Sequence, residues 1–486
     1  MRHQQHEEAI DSLQKELIEK IKKQHAHLSL SRSAGASNTV REDAYRHQGH
    51  ALDISSMDRI LEVDAENQVV KVEPRVTMEQ LVAATLPHGL VPPVVPEFRG
   101  ITVGGAINGA ALESTSHRYG QFNDCCLSYE VLLGDGAIIR VTPDEYSDLF
   151  YGISGAYGTL GIILSAEIRL IPTEQQMLLT YRRFSSSEEA ITFMSEMTAS
   201  ESPPEGIECL VFNRSQAMVV TADPIRKPPA SMPRFNMSWS NSPWYYQHVK
   251  KRSRGKIKQD VIATEEYLFR HDRGAFWMGA YALHPRLLLL YCIEHLFGIV
   301  PDSIGKLLFP KDKSSFAKLK YPGLLFRTFA GKIMGSKTLY AIMHKGDEKW
   351  FADNFCIQDY YLPAEKTAEF CNYVLGTYGI TPLWLCPMKP TKKPQILSPH
   401  YHERASLLFD VGIYGMPKEM LPGSHTVRDL DLLCYRMGGR KMLYSYTYFN
   451  EEEFWKYYDR DAYQILRERY FADSIFHDVV SKVLEQ

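Results

Sequence analysis

Apolar positions recur at helical spacing near the start of the chain. In "EEAIDSLQKELIEKIKK", Ile10, Leu13, Leu17, Ile18 and Ile21 share one side of an amphipathic helix. "HLSLSRSAGASNTVR" then passes from a short strand into a loop of small residues. From Leu52 to Pro172 the period shortens to two. "ILEVD" and "QVVKVEP" flank the turn-forming "AEN" and predict a hairpin. "TMEQLVAATLPHG" predicts a short helix that ends at Gly89. "YEVLLGDGAIIRVTP" predicts a second hairpin, because Asp135-Gly136 is a favoured tight-turn pair between apolar runs. In "GIILSAEIRLIP", Ile162, Leu164, Ala166, Ile168 and Leu170 alternate as a half-buried strand requires, and Pro172 stops it. The class is α+β.

After Pro172 the texture changes. Residues 173–340 mix helical pieces with Pro-rich and aromatic-rich stretches such as "KPPASMPRFNMSWSNSPWYY". "PLWLCPM" and "SLLFDVGIYG" predict strands, and "EEEFWKYYDRDAYQILRERYF" predicts a helix carrying Phe454, Tyr458, Leu466 and Tyr470. There is no internal repeat.

Composition narrows the function classes. The 486 residues are 44% apolar and 23% charged, with a net charge of −3. That is an ordinary globular balance, without the basic excess of a nucleic-acid binder, so a small molecule is the expected partner. The eight cysteines show no regular spacing apart from the adjacent Cys125–Cys126, and no C-x-x-C occurs. Reduced, buried thiols are expected, with no metal site. The N-terminus has no apolar core of the signal-peptide type. No window reaches the ~18 consecutive apolar residues of a spanning helix. A cytoplasmic location is the expectation. "PRLLLLYCIEHLFGIVP" reads either as a buried helix or as one that touches a membrane. Eight Lys/Arg against two Asp between Pro301 and Tyr340 extend the second alternative to peripheral contact through 285–340.

"ITVGGAINGAALESTSHRYG" places Gly104, Gly105, Gly109 and Gly120 where an apolar strand has just ended. Glycine is tolerated where φ is positive or where something approaches the main chain closely. The spacing does not fit G-x-G-x-x-G, and no phosphate-binding P-loop pattern occurs anywhere. A second cluster, "GISGAYGTLGII", follows 40 to 50 residues later. Tight turns alone would explain either cluster. The order of the segments carries more information than the glycines themselves.

"SRSAGASNT", "ILEVD…VVKVEPRVTMEQL", "TVGGAINGAALESTSHRYG" and "DLFYGISGAYGTLGIILSAEIRLIP" together resemble the PCMH-type FAD domain of the vanillyl-alcohol-oxidase flavoproteins. Beyond it, "FRHDRGAFW", "IQDYYLP", "PLWLCP", "FDVGIYG" and "NEEEFWKYYD" are similar to the Δ24-sterol reductase group. The resemblance implies a two-subdomain FAD-binding domain over 1–172, a cap over 173–425 and a return of 426–486 to the first domain. It implies that Ser33, Ala34, Gly35, Ala36 and Ser37 hold the diphosphate. Thr102, Val103, Gly104, Gly105 and Ala106 would run along FAD with the amides of Val103 to Ala106 facing it. Asn108 and Ser116 would add side-chain hydrogen bonds, Gly109 and Gly120 would allow close approach, and Gly161 and Ile162 would bond the ring's polar edge. With Ala36 and Ser37 in the loop and Gly100 before the T-V-G segment, the FAD is expected to be non-covalent.

The implied chemistry reduces a carbon–carbon double bond in a sterol or isoprenoid-like lipid, with NADPH as electron donor and an apolar small molecule as substrate. A proton goes to one carbon and a hydride from the reduced flavin to the other. His271, in "FRHDRGAFW", is a candidate proton donor; the alternative is a structural His–Asp–Arg network. This stretch departs from the group's H-R-H-T-R pattern at Phe269 and Asp272. "LYSYTYF" offers Tyr446 and Tyr448 as acids or as core, with no lysine of the sugar-oxidase type. His117 reads as a local hydrogen-bonding partner rather than a catalyst. Oxidation of an alcohol or C–H bond with oxygen as acceptor remains an alternative, as does a flavin-free scaffold. Flavin chemistry runs in both directions, so the residues leave direction open.

Overall fold

The computed structural model describes residues 2–23, 27–30, 40, 50–254, 258–281, 285–297, 302–308, 322–331, 334–345, 348–418 and 423–484. The Ser33–Ser37 loop lies outside the described residues. Among those described, two large antiparallel sheets organise an α+β fold.

The first sheet has five strands in the order Ile60–Asp64, Val69–Val72, Ile162–Arg169, Cys126–Leu132, Ile138–Val141. Both expected hairpins are present. Asp64 pairs with Val69, and Leu132 pairs with Ile138 across the Asp135-Gly136 turn. Gly136 has φ of 89°, the left-handed region that glycine enters without a steric penalty. The helix Met78–Thr85 starts at a reciprocal cap: Thr77 Oγ1 accepts from Gln80 N, and Gln80 Oε1 accepts from Thr77 N. Its apolar side, Leu81 and Val82, packs with Val70, Val131 and Ile168 in one core.

The second sheet has eight strands in the order Gln259–Ala263, Gln176–Phe184, Gln216–Pro224, Gly206–Asn213, Leu383–Met388, Leu408–Gly415, Cys356–Pro363, Arg440–Lys441. Alternation along its strands divides two apolar layers. Cys209, Val211, Leu385, Val411 and Ile413 belong to the layer that includes Phe370 and Leu430, from the helices Ala364–Tyr373 and Gly423–Arg436. Leu210, Trp384 and Tyr414 belong to the other, aromatic layer.

The stretch expected to return to the first sheet, 426–486, divides. The helix Gly423–Arg436 and the strand Arg440–Lys441 join the second sheet. Phe454, Tyr463, Leu466 and Val479 pack in the core of the first. The single helix expected over Glu451–Phe471 is two, Glu451–Phe454 and Arg460–Arg469. Asp459 caps the second, its carboxylate accepting from Ala462 N, and so imposes the break. All eight cysteines are free thiols; seven are buried, and Cys292 is exposed, contrary to expectation.

Candidate functional site

A cavity of about 300 Å³ lies where the glycine-rich segments of the first sheet's side meet the aromatic layer of the second. Thr102, Gly104, Gly105, Ala106, Asn108, Gly109 and Gly161 all line it, together with Arg75 and Gly158. The opposite wall is apolar and aromatic, with Phe276, Met343, Phe351, Phe355, Trp384 and Tyr414.

The T-V-G-G segment forms a short helix, Val103–Asn108, and this corrects the expectation for its amides. Val103 N donates to Val76 O and Gly104 N to Pro74 O, each at 2.8 Å. Gly105 N donates to Thr102 Oγ1 at 3.2 Å, and Ala106 N to Thr102 O at 2.8 Å. The four amides are therefore committed inside the protein and form no anion nest. Gly104 is a glycine because Pro74 lies against it; a Cβ there would sit 2.9 Å from Pro74 Cβ. Gly161 is required by Val131, whose Cγ1 would be 2.7 Å from an added Cβ.

Gly105 behaves differently. An added Cβ would meet only Thr102 Oγ1, at 3.0 Å, so a larger side chain would stand in the cavity. Gly158, with φ of 72°, likewise has nothing nearer than Lys482 Nζ at 3.9 Å. Asn108 ties these two surfaces together. Its Nδ2 donates to Gly104 O at 3.0 Å, and its Oδ1 accepts from Gly158 N at 2.8 Å. The result is a braced, side-chain-free floor that fits a flat ring system, flanked by the Arg75 cation. These residues suit FAD.

Other expected contacts fall elsewhere. Val103 and Ile162 point into cores, Ile162 beneath the N-terminal helix. Ser116 Oγ accepts from Glu113 N at 3.0 Å and lies off the cavity wall. Gly120, with φ of 80°, leaves room for the Asp124 carboxylate, which an added Cβ would clash with. These four positions are set by packing and turns.

The three proposed acids are also displaced from the wall. His271 is buried; its Nε2 lies 2.8 Å from Glu208 Oε2, and its ring stacks behind Phe276. Arg270 joins Glu208 at 2.7 Å and Glu113 at 2.9 Å. Tyr245 OH and Trp384 Nε1 donate to the same Glu208, each at 2.7 Å. The network is thus His–Glu–Arg; Asp272 instead accepts from Ser336 and from Arg99 N. Burial lowers the pKa of His271, against the opposing pull of Glu208. Tyr446 and Tyr448 stack together away from the wall, and Tyr444 lines the cavity in their place. His117 bridges Ser114 O and Pro204 O, and burial pushes its pKa down to about 4.

Carboxyl groups that sequence reasoning passed over line the wall instead. Asp359 accepts from Tyr414 OH at 2.5 Å and also from Tyr444. Burial pushes its pKa up to about 6 against those hydrogen bonds. Glu97 stands on the same cavity, its pKa raised to about 8 by burial and then by Glu113 and Asp359. Asp410, fully buried, faces Asp359 across the sheet and is held well above the carboxylate range by burial and by the Asp359 and Glu97 charges. Gly412 makes the arrangement possible: an added Cβ would lie 2.5 Å from Tyr414 OH and 2.9 Å from Asp359 Oδ1. The available signal was a polar residue at alternate positions in strands that are otherwise fully apolar, in "IQDYYLP" and "FDVGIYG".

Residues 15–142 match the FAD binding domain family. Delta(24)-sterol reductase of Homo sapiens is 29% identical over 489 residues, covering 98% of this chain and 86% of that protein. The Pisum sativum Delta(24)-sterol reductase is 28% identical over 513 residues, covering 99% and 84%. Decaprenylphosphoryl-beta-D-ribose oxidase of Mycolicibacterium smegmatis is 35% identical over 164 residues, 33% of this chain and 36% of that protein. The chain carries a PCMH-type FAD binding domain and is similar, over nearly its whole length, to the Delta(24)-sterol reductases.

Proposed function

We propose that this chain is an FAD-dependent oxidoreductase that reduces a carbon–carbon double bond in a sterol or isoprenoid-like lipid, with NADPH as electron donor. One observation carries the reading: a single cavity joins a glycine floor suited to FAD with an aromatic wall that bears carboxylic acids. When bound, FAD supplies the hydride. Gly105 and Gly158 leave the floor bare, and Asn108 holds its two halves in register. The aromatic wall orients an apolar substrate and excludes water, and a neutral carboxyl group on that wall supplies the proton. Among the described lining residues from the second sheet and its helices there is no Lys or Arg, so nothing there would attract a charged sugar or acid.

Among the described residues no helix is long and apolar enough to cross a membrane. A surface contact is proposed instead. Leu289, Leu296, Phe297, Leu307, Leu324 and Leu325 are exposed on the helices Pro285–Phe297, Asp302–Leu308 and Leu324–Ala330. Leu287, on the first of these, lines the cavity. The basic excess of 301–340 suits an anionic bilayer, from which a lipid substrate would reach the cavity directly. Sedimentation with anionic vesicles, lost in Leu324→Asp/Leu325→Asp and absent with neutral vesicles, checks it. For the domain organisation, the flavin-binding unit is taken as 1–172 with the segment after Lys441, and the cap as the residues between.

Anaerobic stopped-flow absorbance tests the reading. The bound flavin is expected to bleach with NADPH and to recolour with a Δ24 sterol in the absence of oxygen. Failure to bleach with NADPH, followed by fast recolouring in air after dithionite, would instead establish an oxidase.

A further inference from the structure

We propose that Glu97 is the acid that protonates the substrate, and that Asp359 is the positioning group that keeps Glu97 protonated. The proposal rests on the reductase reading above.

The geometry begins with Asp359 and Asp410. They stand on neighbouring antiparallel strands, offset by two residues, on the same sheet face: Asp359 pairs with Gly412, and Tyr361 with Asp410. Neither oxygen of Asp410 meets a donor group, so an ionised Asp410 would be a buried charge with no compensation. A neutral Asp410 instead donates to Asp359, which also accepts from Tyr414 and Tyr444. The pair thus carries one negative charge, on Asp359, held by three hydroxyl-type donors.

Glu97 lines the same cavity as Asp359. Glu113 and Asp359 repel a second anion there, and Arg270 favours one. Tyr340 and Tyr414 line the same cavity. Arg270 is already bonded to Glu113 and Glu208, so its pull on Glu97 is shared with two closer carboxylates. Glu97 is half-buried; that desolvation and the like charges raise its pKa to about 8, toward the neutral form that a general acid needs.

The loop is also held still. Arg99, two residues on, donates through Nη1 to Glu79 at 2.9 Å and to Glu265 at 2.8 Å, while its amide donates to Asp272 at 3.1 Å. The proton holder thereby sits on a clamped segment that leads directly into the Thr102–Asn108 floor.

The step balances. The alkene π pair takes the Glu97 proton to form one C–H bond, leaving a carbocation at the other carbon. FAD, when bound and reduced, would supply the hydride for the second C–H bond, with NADPH as the electron donor. The Glu97 carboxylate left behind regains its proton from water when product leaves.

Two measurements on purified protein test this. In the infrared spectrum, with or without flavin, the wild type should show a carboxylic-acid band at neutral pH that loses one component in Glu97→Gln. In anaerobic stopped flow, Glu97→Gln should bleach normally with NADPH but recolour with a Δ24 sterol about 10²–10⁴-fold more slowly. The wild-type recolouring rate should fall as pH rises past about 8, and Asp359→Asn should move that fall to lower pH. Wild-type rates and pH profile in Glu97→Gln, or an unaltered infrared band, would overturn the assignment. If the wild type bleaches but no sterol recolours it, the reductase reading falls, and the infrared band alone decides whether Glu97 holds a proton.

Discussion

Glu208 and Asp410 stand on the same face of the second sheet, separated by the strand Leu383–Met388, and both are fully buried. Their surroundings differ completely. Glu208 receives Arg270, His271, Tyr245 and Trp384, and the Arg270 charge with the Arg270 and His271 hydrogen bonds holds it well below the carboxylate range despite its burial. Asp410 meets no cation and is driven the other way. A compensated carboxylate is an ionic pin for the fold, whereas an uncompensated one stores a proton. The difference explains why the cluster with the histidine is the structural one, and why the acids facing the cavity are the ones suited to chemistry.

Removing the compensation should have the largest effect. Arg270→Met leaves Glu208 and Glu113 without their cation, and denaturant unfolding should show a loss of about 3–5 kcal/mol. Adding Glu208→Gln should restore part of it. An unchanged unfolding midpoint in Arg270→Met would break the comparison.

A third acidic site tests the same idea with a cation that titrates. His6 Nδ1 lies 2.8 Å from Glu73 Oε1, and its Nε2 lies 3.5 Å from Glu130 Oε2. Burial works to lower its pKa, but Glu130 and Glu73 outweigh that and raise it to about 9. A folded-state pKa above the unfolded one stabilises fully below about 6.5, and the effect is lost as pH rises through 9. His6→Gln should therefore cost about 1–3 kcal/mol at pH 6 and almost nothing at pH 10. A pH-independent difference would show that packing, not charge, is what His6 supplies.

The smallest effect has the opposite sign. Asp410 has a folded pKa raised above its unfolded value, so it costs stability progressively as pH rises above the usual aspartate range. Asp410→Asn should raise stability at pH 7 by about 1 kcal/mol or more, and the gain should vanish near pH 3. A loss at pH 7 would mean that Asp410 is ionised and compensated after all.

Legibility followed the range of the interactions involved. The hairpins at 60–72 and 126–141 were plain because turn chemistry and alternation lie within a dozen residues. The glycine segments stood out in the sequence, and many of their residues line the cavity. The reason for individual glycines was not legible: Gly104 answers to Pro74, and Gly161 to Val131, each about 30 residues away. His271 stood out as a histidine in a charged, aromatic stretch, yet its role depends on Glu208, 63 residues earlier. Tyr446 and Tyr448 stood out by type, while Tyr444 reaches the cavity.

By itself, then, the sequence determined the α+β class, the hairpins and the glycine-rich segments that line the cavity. Periodicity, turn residues and the absence of side chains are local properties, and they act wherever the chain goes. Only the tertiary structure decided which acids are ionic pins and which hold protons. That choice depends on desolvation and on the sign of the nearest charge. Glu97 and Asp359 acquire both only when segments more than 250 residues apart are folded onto one cavity, with Asp410 buried beside Asp359.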